Sequence, residues 1–97
     1  MAYPQGDIVV ADDPFGNAPK RPYLICSNGC VPFYGQEYIA VVITTTRAEA
    51  IELTADRFEA GRLPRPSYVS PWSVLTLKDR MITKQPARAT DATVDDV

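Results

Sequence analysis

The chain has 97 residues, enough for one domain, residues 1–97, and too few for two. Its composition, 45% hydrophobic and 23% charged, is typical of globular proteins and argues against a disordered chain or a coiled coil. The absence of histidine excludes mechanisms in which imidazole is an acid, a base or a metal ligand, including the Ser-His-Asp triad.

The net charge of −2 is unevenly distributed along the chain. Three acids lie in the last seven residues, which contain no Lys or Arg, so that residues 1–90 carry a net charge of +1. This part of the chain could present a locally positive face, although the total charge does not itself indicate nucleic-acid binding.

The sequence contains no membrane or secretion signal. No apolar run approaches the roughly 20 residues that span a bilayer, and the N-terminus lacks the pattern of a signal peptide. We therefore expect a cytoplasmic protein. Two cysteines are too few for a disulfide scaffold and poorly spaced for zinc, so we expect reduced thiols, with Cys26 in the core and Cys30 in a loop.

The first half of the chain predicts three strands. The apolar runs in "GDIVVAD" and "YLICSN" end at turn formers, namely "DDPFGNAPK" and Asn28-Gly29. "EYIAVVITTT" is rich in β-branched residues. Its continuous run "IAVVI" predicts a strand buried on both faces that ends near Thr45.

The second half predicts shorter elements. We expect a short strand at 50–53 followed by a turn or short helix, and a loop in "GRLPRPSYV". "VSPWSVLTL" predicts a strand with Pro71 at an edge or bulge, and "RMITKQPARAT" predicts one that Pro86 interrupts or ends. "TVDDV" predicts the start of a helix capped by Thr93. Together, five or six strands and a late helix predict a mainly β fold, a small antiparallel barrel.

Two adjacent cations, Lys20 and Arg21, begin the apolar run "RPYLICSN". Such residues are ordinarily solvated charges at the end of a strand; the alternative is that they face an anionic ligand. The order of "GDIVVAD", "RPYLICSN", "ITTT", "LPRPSYV" and "SVLTLKDR" over residues 6–90 resembles the MazF/PemK/Kid family of toxin ribonucleases.

This resemblance implies an SH3-like barrel that forms a homodimer and cleaves single-stranded RNA without a metal or other cofactor. It further implies neutralisation by a cognate antitoxin, whose extended tail occupies the RNA groove. Arg21 matches the family arginine that enters the second strand, and Thr44 matches the threonine at the end of the third. In the family these two catalytic residues flank the scissile phosphate.

The sequence departs from the family pattern in "WSVLT". This segment corresponds to the family's "D-Q-x-R-T": Thr76 is retained as a candidate RNA-binding residue, whereas Trp72 replaces the acid and Leu75 replaces the arginine. A family member that uses that acid as its base would be disabled by this change. We expect Trp72 to lie in the core or at a dimer interface rather than to bind RNA.

Metal-free RNA cleavage uses the 2′-hydroxyl of the substrate as nucleophile and leaves 2′,3′-cyclic phosphate and 5′-hydroxyl ends. The protein must align the substrate, stabilise charge on the phosphorane oxygens and transfer protons. Arg21 is suited to stabilising the charge on the phosphorane oxygens, because a guanidinium donates two hydrogen bonds and stays protonated. Thr44 offers one hydroxyl to hold a non-bridging oxygen. The general base stays open between Asp12, Asp13 and Glu37.

Further RNA contacts are expected from cations and aromatic residues. Lys20, Arg47, Arg62 and Arg65 could follow the backbone, and bases could stack on Tyr23, Phe15, Phe33 or Tyr34. Two other functions remain open. One is a catalytically weak or inactive RNA- or protein-binding module on the same barrel; the other, less favoured, is a gyrase poison of the CcdB type.

Overall fold

The computed structural model describes residues 3–12, 20–27, 35–45 and 51–97. Seven strands form one antiparallel sheet, curled into a half-barrel, in the order β4-β6-β3-β2-β1-β7-β5. The strands are β1 (Asp7–Asp12), β2 (Lys20–Ile25), β3 (Glu37–Thr44), β4 (Ile51–Glu52), β5 (Phe58–Gly61), β6 (Tyr68–Lys78) and β7 (Ile82–Ala89). Short 3-10 turns at Ala55–Arg57 and Asp79–Met81 and one helix, α1 (Asp91–Asp96), complete these elements.

The predicted mainly β, antiparallel fold is confirmed, with seven strands rather than five or six. The strand that was not expected is β5, in the segment "FEAG", where Ala and Glu favoured a turn or helix. Pairing with β7 outweighs that preference, because Ala60 lies opposite Arg88 and Gly61 opposite Ala87.

Apolar side chains cover both faces of the sheet, because successive residues of a strand point to opposite sides. One cluster contains Ile8, Leu24, Val41, Ile43, Leu53, Val69, Ala87 and Ala89. The second contains Val9, Ala11, Tyr23, Ile25, Tyr38, Ala40, Val42 and Leu77. We refer to the corresponding sides as the first face and the second face. The prediction that β3 is buried on both faces is confirmed, since its residues Ala40–Ile43 are all buried.

Pro86 does not end its strand, but the pairing of the strand is irregular there, so the prediction that Pro86 interrupts or ends the strand holds in part. Strand β7 runs through it to Ala89. The pairing with β1 shifts between Ile8↔Ala87 and Val10↔Lys84, so Pro86 lies at an irregularity of the ladder. A residue without an N–H group is tolerated at such a position.

Helix α1 begins one turn earlier than "TVDDV" predicted. Its N-cap is Thr90, in extended conformation, whose side chain accepts a hydrogen bond from the Thr93 backbone N–H at 3.2 Å. Thr93 is itself fully buried, and its hydroxyl bonds to the carbonyl of Arg57 at 3.3 Å. The predicted cap at Thr93 is therefore wrong, because this threonine is an internal residue that attaches the helix to the rest of the fold.

Polar groups form two clusters of hydrogen bonds on the sheet. Arg88 donates to Asp7 at 2.7 Å and to Glu59 at 2.8 Å, and its bond to Asp7 raises its pKa. On β3, the Tyr38 hydroxyl donates to Asp79 at 2.9 Å and accepts from the Tyr3 backbone at 3.3 Å. Burial, followed by the bond to Asp79, raises the pKa of Tyr38 to about 12.

Cys26 is half-buried and packs against the cluster on the first face, so the prediction that it is a core residue holds in part. Burial raises the pKa of its thiol, which disfavours the thiolate. Cys30 lies outside the described residues.

Candidate functional site

Arg21 lies near the start of β2, directly opposite Ala11 of β1. Paired residues of antiparallel strands share a face, and Ala11 is a fully buried member of the second face. Arg21 is therefore on this face, where it is half-buried. Among the described residues it has no ion-pair partner.

Thr44 is the last residue of β3 and stands level with Arg21. The β2·β3 ladder pairs Tyr23 with Val42 and Leu24 with Val41. When this register is continued by two residues, it sets Arg21 against Thr44. Both side chains then belong to the second face, two residues beyond the last pair of a ladder whose strands lie about 4.8 Å apart. The two predicted catalytic residues therefore lie on the same face, near the same end of neighbouring strands.

A row of paired residues continues from Thr44 to the edge of the sheet. Thr44 lies opposite Tyr68 of β6, and Tyr68 lies opposite Glu52 of β4. Because paired residues share a face, this cross-strand row places a guanidinium, a hydroxyl, a phenol and a carboxylate on one face at one end of the sheet. We call it the Arg21–Glu52 row.

Sequence reasoning missed Tyr68 and Glu52. Tyr68 is half-buried and Glu52 exposed, so both reach solvent. The alternation in "IEL" indicated that Glu52 faces away from the core, but no sequence signal gave the register of β6 against β3. That register contains a bulge, in which Val41 pairs with Val74 and the next residue, Val42, pairs with Ser70.

Ion pairs divide the cations of the described residues into two groups. Paired cations are Lys20, Arg57, Lys78 and Arg88. No carboxylate partner among the described residues is found for Arg21, Arg62, Arg65, Lys84 and Arg80. Arg62 and Arg65 line a pocket with Glu52, and Arg65 and Lys84 line another on the first face, so uncompensated positive charge collects at this end of the sheet.

Lys20 does not share the surroundings of Arg21. It pairs with Asp12 across the strands at 2.8 Å, and both side chains are about half exposed, at 49% and 56%. Alternation places this pair on the first face, away from Arg21. An exposed pair of this kind contributes only about 0–1 kcal/mol, so it holds Lys20 weakly.

Neither of the two candidate bases that the structure describes lies in the row. Asp12 is on the other face, beside Lys20. Glu37 begins β3, seven residues before Thr44 and about 23 Å away along the strand. Asp13 lies outside the described residues.

The remaining predicted RNA-binding residues are not collected at one place. Thr76 lies opposite Ile39, about 16 Å along β3 from Thr44. Arg65 lies in the loop before β6, and its carbonyl accepts from the Ser67 hydroxyl at 2.9 Å. Arg47 lies outside the described residues.

The predicted stacking residue Tyr23 is fully buried in the cluster of the second face and offers no surface to a base. Phe15, Phe33 and Tyr34 lie outside the described residues. Tyr68 is a half-buried aromatic residue directly opposite Thr44, and this position is suited to stacking.

No group of three or more His, Cys, Asp or Glu side chains in the described part of the chain could hold a metal ion. No helix there is long and apolar enough to cross a membrane.

Neither a protein-family model nor a curated protein matches this chain. Among solved structures, the chain is similar to an endoribonuclease from Mycobacterial species, determined in complex with its cognate antitoxin. The TM-score is 0.67 and the sequence identity 26%, over 97% of this chain and 85% of that chain. The likeness therefore extends over nearly the whole chain, in fold and in part of the sequence.

Proposed function

We propose that this protein is a toxin endoribonuclease of the MazF/PemK/Kid type, with an SH3-like barrel, that cleaves single-stranded RNA in the cytoplasm. The observation that carries the proposal is the juxtaposition of Arg21 and Thr44 on adjacent strands. The likeness to an endoribonuclease supports it independently, because fold and partial identity agree with the chemistry of this pair.

In the proposed reaction, the 2′-oxygen of the RNA forms a bond to phosphorus and the bond from phosphorus to the 5′-oxygen breaks. The products are a 2′,3′-cyclic phosphate and a 5′-hydroxyl end. Arg21 donates two hydrogen bonds to the phosphorane oxygens and Thr44 donates one, so the developing negative charge is stabilised. No metal ion takes part in this scheme.

The proton of the 2′-hydroxyl requires an acceptor, and we assign it to Glu52. This carboxylate shares the face of Arg21 and Thr44, is exposed and has no ion-pair partner among the described residues. It lies two strands, or about 10 Å, from Thr44, so the ribose must lie over Tyr68. The leaving 5′-oxygen takes a proton from solvent and becomes the 5′-hydroxyl.

We propose that a cognate antitoxin binds this protein, as one does in the structure of the similar endoribonuclease. The uncompensated cations around the Arg21–Glu52 row would attract an acidic segment as well as RNA. Competition between the antitoxin tail and RNA for the same residues would explain how the nuclease is neutralised.

A homodimer is proposed on the basis of an apolar surface on β3 and β6. The exposed large hydrophobic residues of the described part are Ile39, Trp72 and Val74, with exposed fractions of 37%, 53% and 58%. Beyond Val69, no described strand pairs with the outer edge of β6. A second copy would cover both the apolar side chains and this edge.

A second candidate function is an RNA-binding module without turnover. It is favoured by Trp72 and Leu75, which occupy the places of the acid and arginine in the family pattern. Leu75 is half-buried opposite Ala40, so it contributes to packing and not to a charged site.

Incubation of the purified protein with mixed-sequence single-stranded RNA in EDTA separates these functions. A nuclease of the proposed type gives fragments with 5′-hydroxyl ends that polynucleotide kinase labels without prior phosphatase treatment. Binding without fragments would support the second candidate. Cleavage that EDTA abolishes would contradict the metal-free mechanism.

A further inference from the structure

The first face carries a pocket of about 290 Å³ at the same end of the sheet as Arg21. Its apolar walls include Val10, Pro22, Leu63 and Pro86, and Arg65 and Lys84 add two cations. No acidic residue lines it within the described part of the chain. We call it the reverse-face pocket. Its volume is near the lower end of the usual range for small-ligand sites, of about 300–1,000 Å³.

The floor of the reverse-face pocket is a row of paired residues. Val10 of β1 lies between Pro22 of β2 and Lys84 of β7, so the three side chains share the first face. The β1·β2 ladder is regular around Val10, whereas the β1·β7 ladder shifts its register on both sides of it. Main-chain pairing with both neighbouring strands therefore positions the floor.

The opposite wall is a loop that the structure fixes at both ends. At its start, Gly61 has a φ of +67° and touches β7 so closely that a Cβ there would lie 2.1 Å from the carbonyl oxygen of Pro86. At its end, the backbone N–H of Leu53 donates to the carbonyl of Ser67 at 2.8 Å. Leu63 and Arg65 are thus held over the floor.

The charge of the pocket favours an anionic ligand. Arg65 and Lys84 have no carboxylate partner among the described residues, whereas Arg88, farther along β7, is held by two. The nearby carboxylate of Asp12 is already bonded to Lys20. Apolar walls beside two uncompensated cations suit a ligand that has a flat apolar part and a phosphate, which is the chemistry of a nucleotide.

The position of the pocket connects it to the Arg21–Glu52 row. Pro22 and Thr45 line the pocket, and each directly follows a residue of the proposed catalytic pair, Arg21 and Thr44. Because successive side chains alternate, the pocket and the pair lie on opposite faces of the same sheet end. An RNA strand that passes around this end would meet both.

We propose that the reverse-face pocket is a nucleotide subsite, which accepts one base flanking the scissile phosphate while Arg65 and Lys84 bind the adjoining phosphate. This assignment rests on the proposed nuclease function for its substrate. It extends that function by locating a binding site on the face opposite the cleavage site.

The test measures binding of a mixed-sequence RNA decamer that carries 2′-O-methyl groups throughout and so cannot be cleaved. Arg65→Gln and Lys84→Gln should each weaken binding about three- to tenfold, and each should lower the slope of log K against log salt by about 0.7. The matched control is Arg80→Gln, which removes a cation that likewise has no carboxylate partner among the described residues but lies outside the reverse-face pocket, beside Glu37 and Lys78, and should change neither quantity. Equal effects of all three substitutions would overturn the proposal.

A second variant tests the shape of the pocket without changing its charge. Val10→Phe should fill the floor and weaken binding of the decamer, with circular dichroism and thermal melting used to verify that the variant folds. If Val10→Phe is unfolded, chemical-shift changes of Val10 and Leu63 methyl groups on titration of wild-type protein with AMP, GMP, CMP or UMP decide the question. No change with any of the four would overturn the proposal, as would preferential binding of poly-glutamate in the pocket.

The probe separates this proposal from the nuclease function, since its binding requires no turnover. Protein that binds the decamer as predicted but leaves ordinary RNA intact would contradict the nuclease and retain the pocket. Protein that cleaves RNA but whose binding of the decamer does not depend on Arg65 or Lys84 would contradict the pocket and retain the nuclease function.

Discussion

Arg21 and Thr44 share the second face of the sheet on the adjacent strands β2 and β3, each two residues beyond the last pair of that ladder, Tyr23↔Val42. They are separated by more than twenty residues in sequence, and the β2·β3 register brings them together. A cation and a hydroxyl at one sheet end can contact the same phosphate, while Tyr68 and Glu52 continue the row.

The assignment of Glu52 as proton acceptor predicts that Glu52→Gln lowers kcat for RNA cleavage by about 10²- to 10⁴-fold, the usual contribution of general base catalysis. Glu37→Gln is the matched control, because Glu37 lies about 23 Å from Thr44 along β3. Similar kinetics for both variants would exclude Glu52 as the base.

The apolar surface predicts a dimer that a single charge disrupts. Val74→Lys places an ammonium group on a side chain that is 58% exposed, so the folded monomer should tolerate it, whereas a buried interface should not. Sedimentation equilibrium should report a dimer for wild type and a monomer for the variant. A wild-type protein that is monomeric at micromolar concentration would contradict the proposed homodimer.

The close packing of Gly61 on β7 predicts unequal effects of two glycine substitutions. Both Gly61 and Gly6 have positive φ, at 67° and 98°, so alanine costs backbone strain of about 1 kcal/mol at either position. At Gly61 the Cβ would also lie 2.1 Å from a backbone oxygen, whereas at Gly6 the nearest atoms lie at 3.5 Å. Urea denaturation should therefore show the larger loss for Gly61→Ala; equal losses would contradict this packing.

The Tyr38 hydroxyl predicts a pH dependence of stability. Because its pKa is raised from 10 to about 12 in the folded state, the unfolded state loses this proton first as the pH rises. The stabilisation is complete below pH 10 and is lost between pH 10 and about 12. Tyr38→Phe should lose about 1 kcal/mol near neutral pH and show a smaller decline above pH 10.

Tyr68→Phe is the control for this measurement, since it also removes a phenol. Parallel stability curves for wild type and Tyr38→Phe between pH 10 and 12 would show that the Tyr38 hydroxyl is not the group that titrates.

Sequence patterns predicted those strands whose residues are chosen mainly by burial. Strand β3 ends within one residue of the expected position, because its β-branched run is buried on both sides. Strand β5 and the cap at Thr90 were missed, since their identity depends on contacts with β7 and with the carbonyl of Arg57. Local propensity does not include such contacts.

The residues of the candidate site likewise differ in whether the sequence could predict them. Arg21 and Thr44 could be selected from the motifs "RPYLICSN" and "ITTT", and Tyr68 and Glu52 could not. Their place in the row depends on the register of β6, which shifts at the bulge between Val41 and Val42. Conversely, Thr76 was selected from a motif but lies at a distance from the pair in this chain.

The catalytic roles of Arg21 and Thr44 are decided by single-turnover cleavage of single-stranded RNA in EDTA, measured for wild type, Arg21→Lys, Thr44→Val and Arg80→Lys. Wild type and Arg80→Lys should produce 5′-hydroxyl fragments at similar rates. Thr44→Val should be slower by about 10- to 100-fold, and Arg21→Lys by about 10²- to 10³-fold, because an ammonium cannot donate the paired hydrogen bonds. Equal rates for Arg21→Lys and Arg80→Lys, or no cleavage by wild type, would contradict the account.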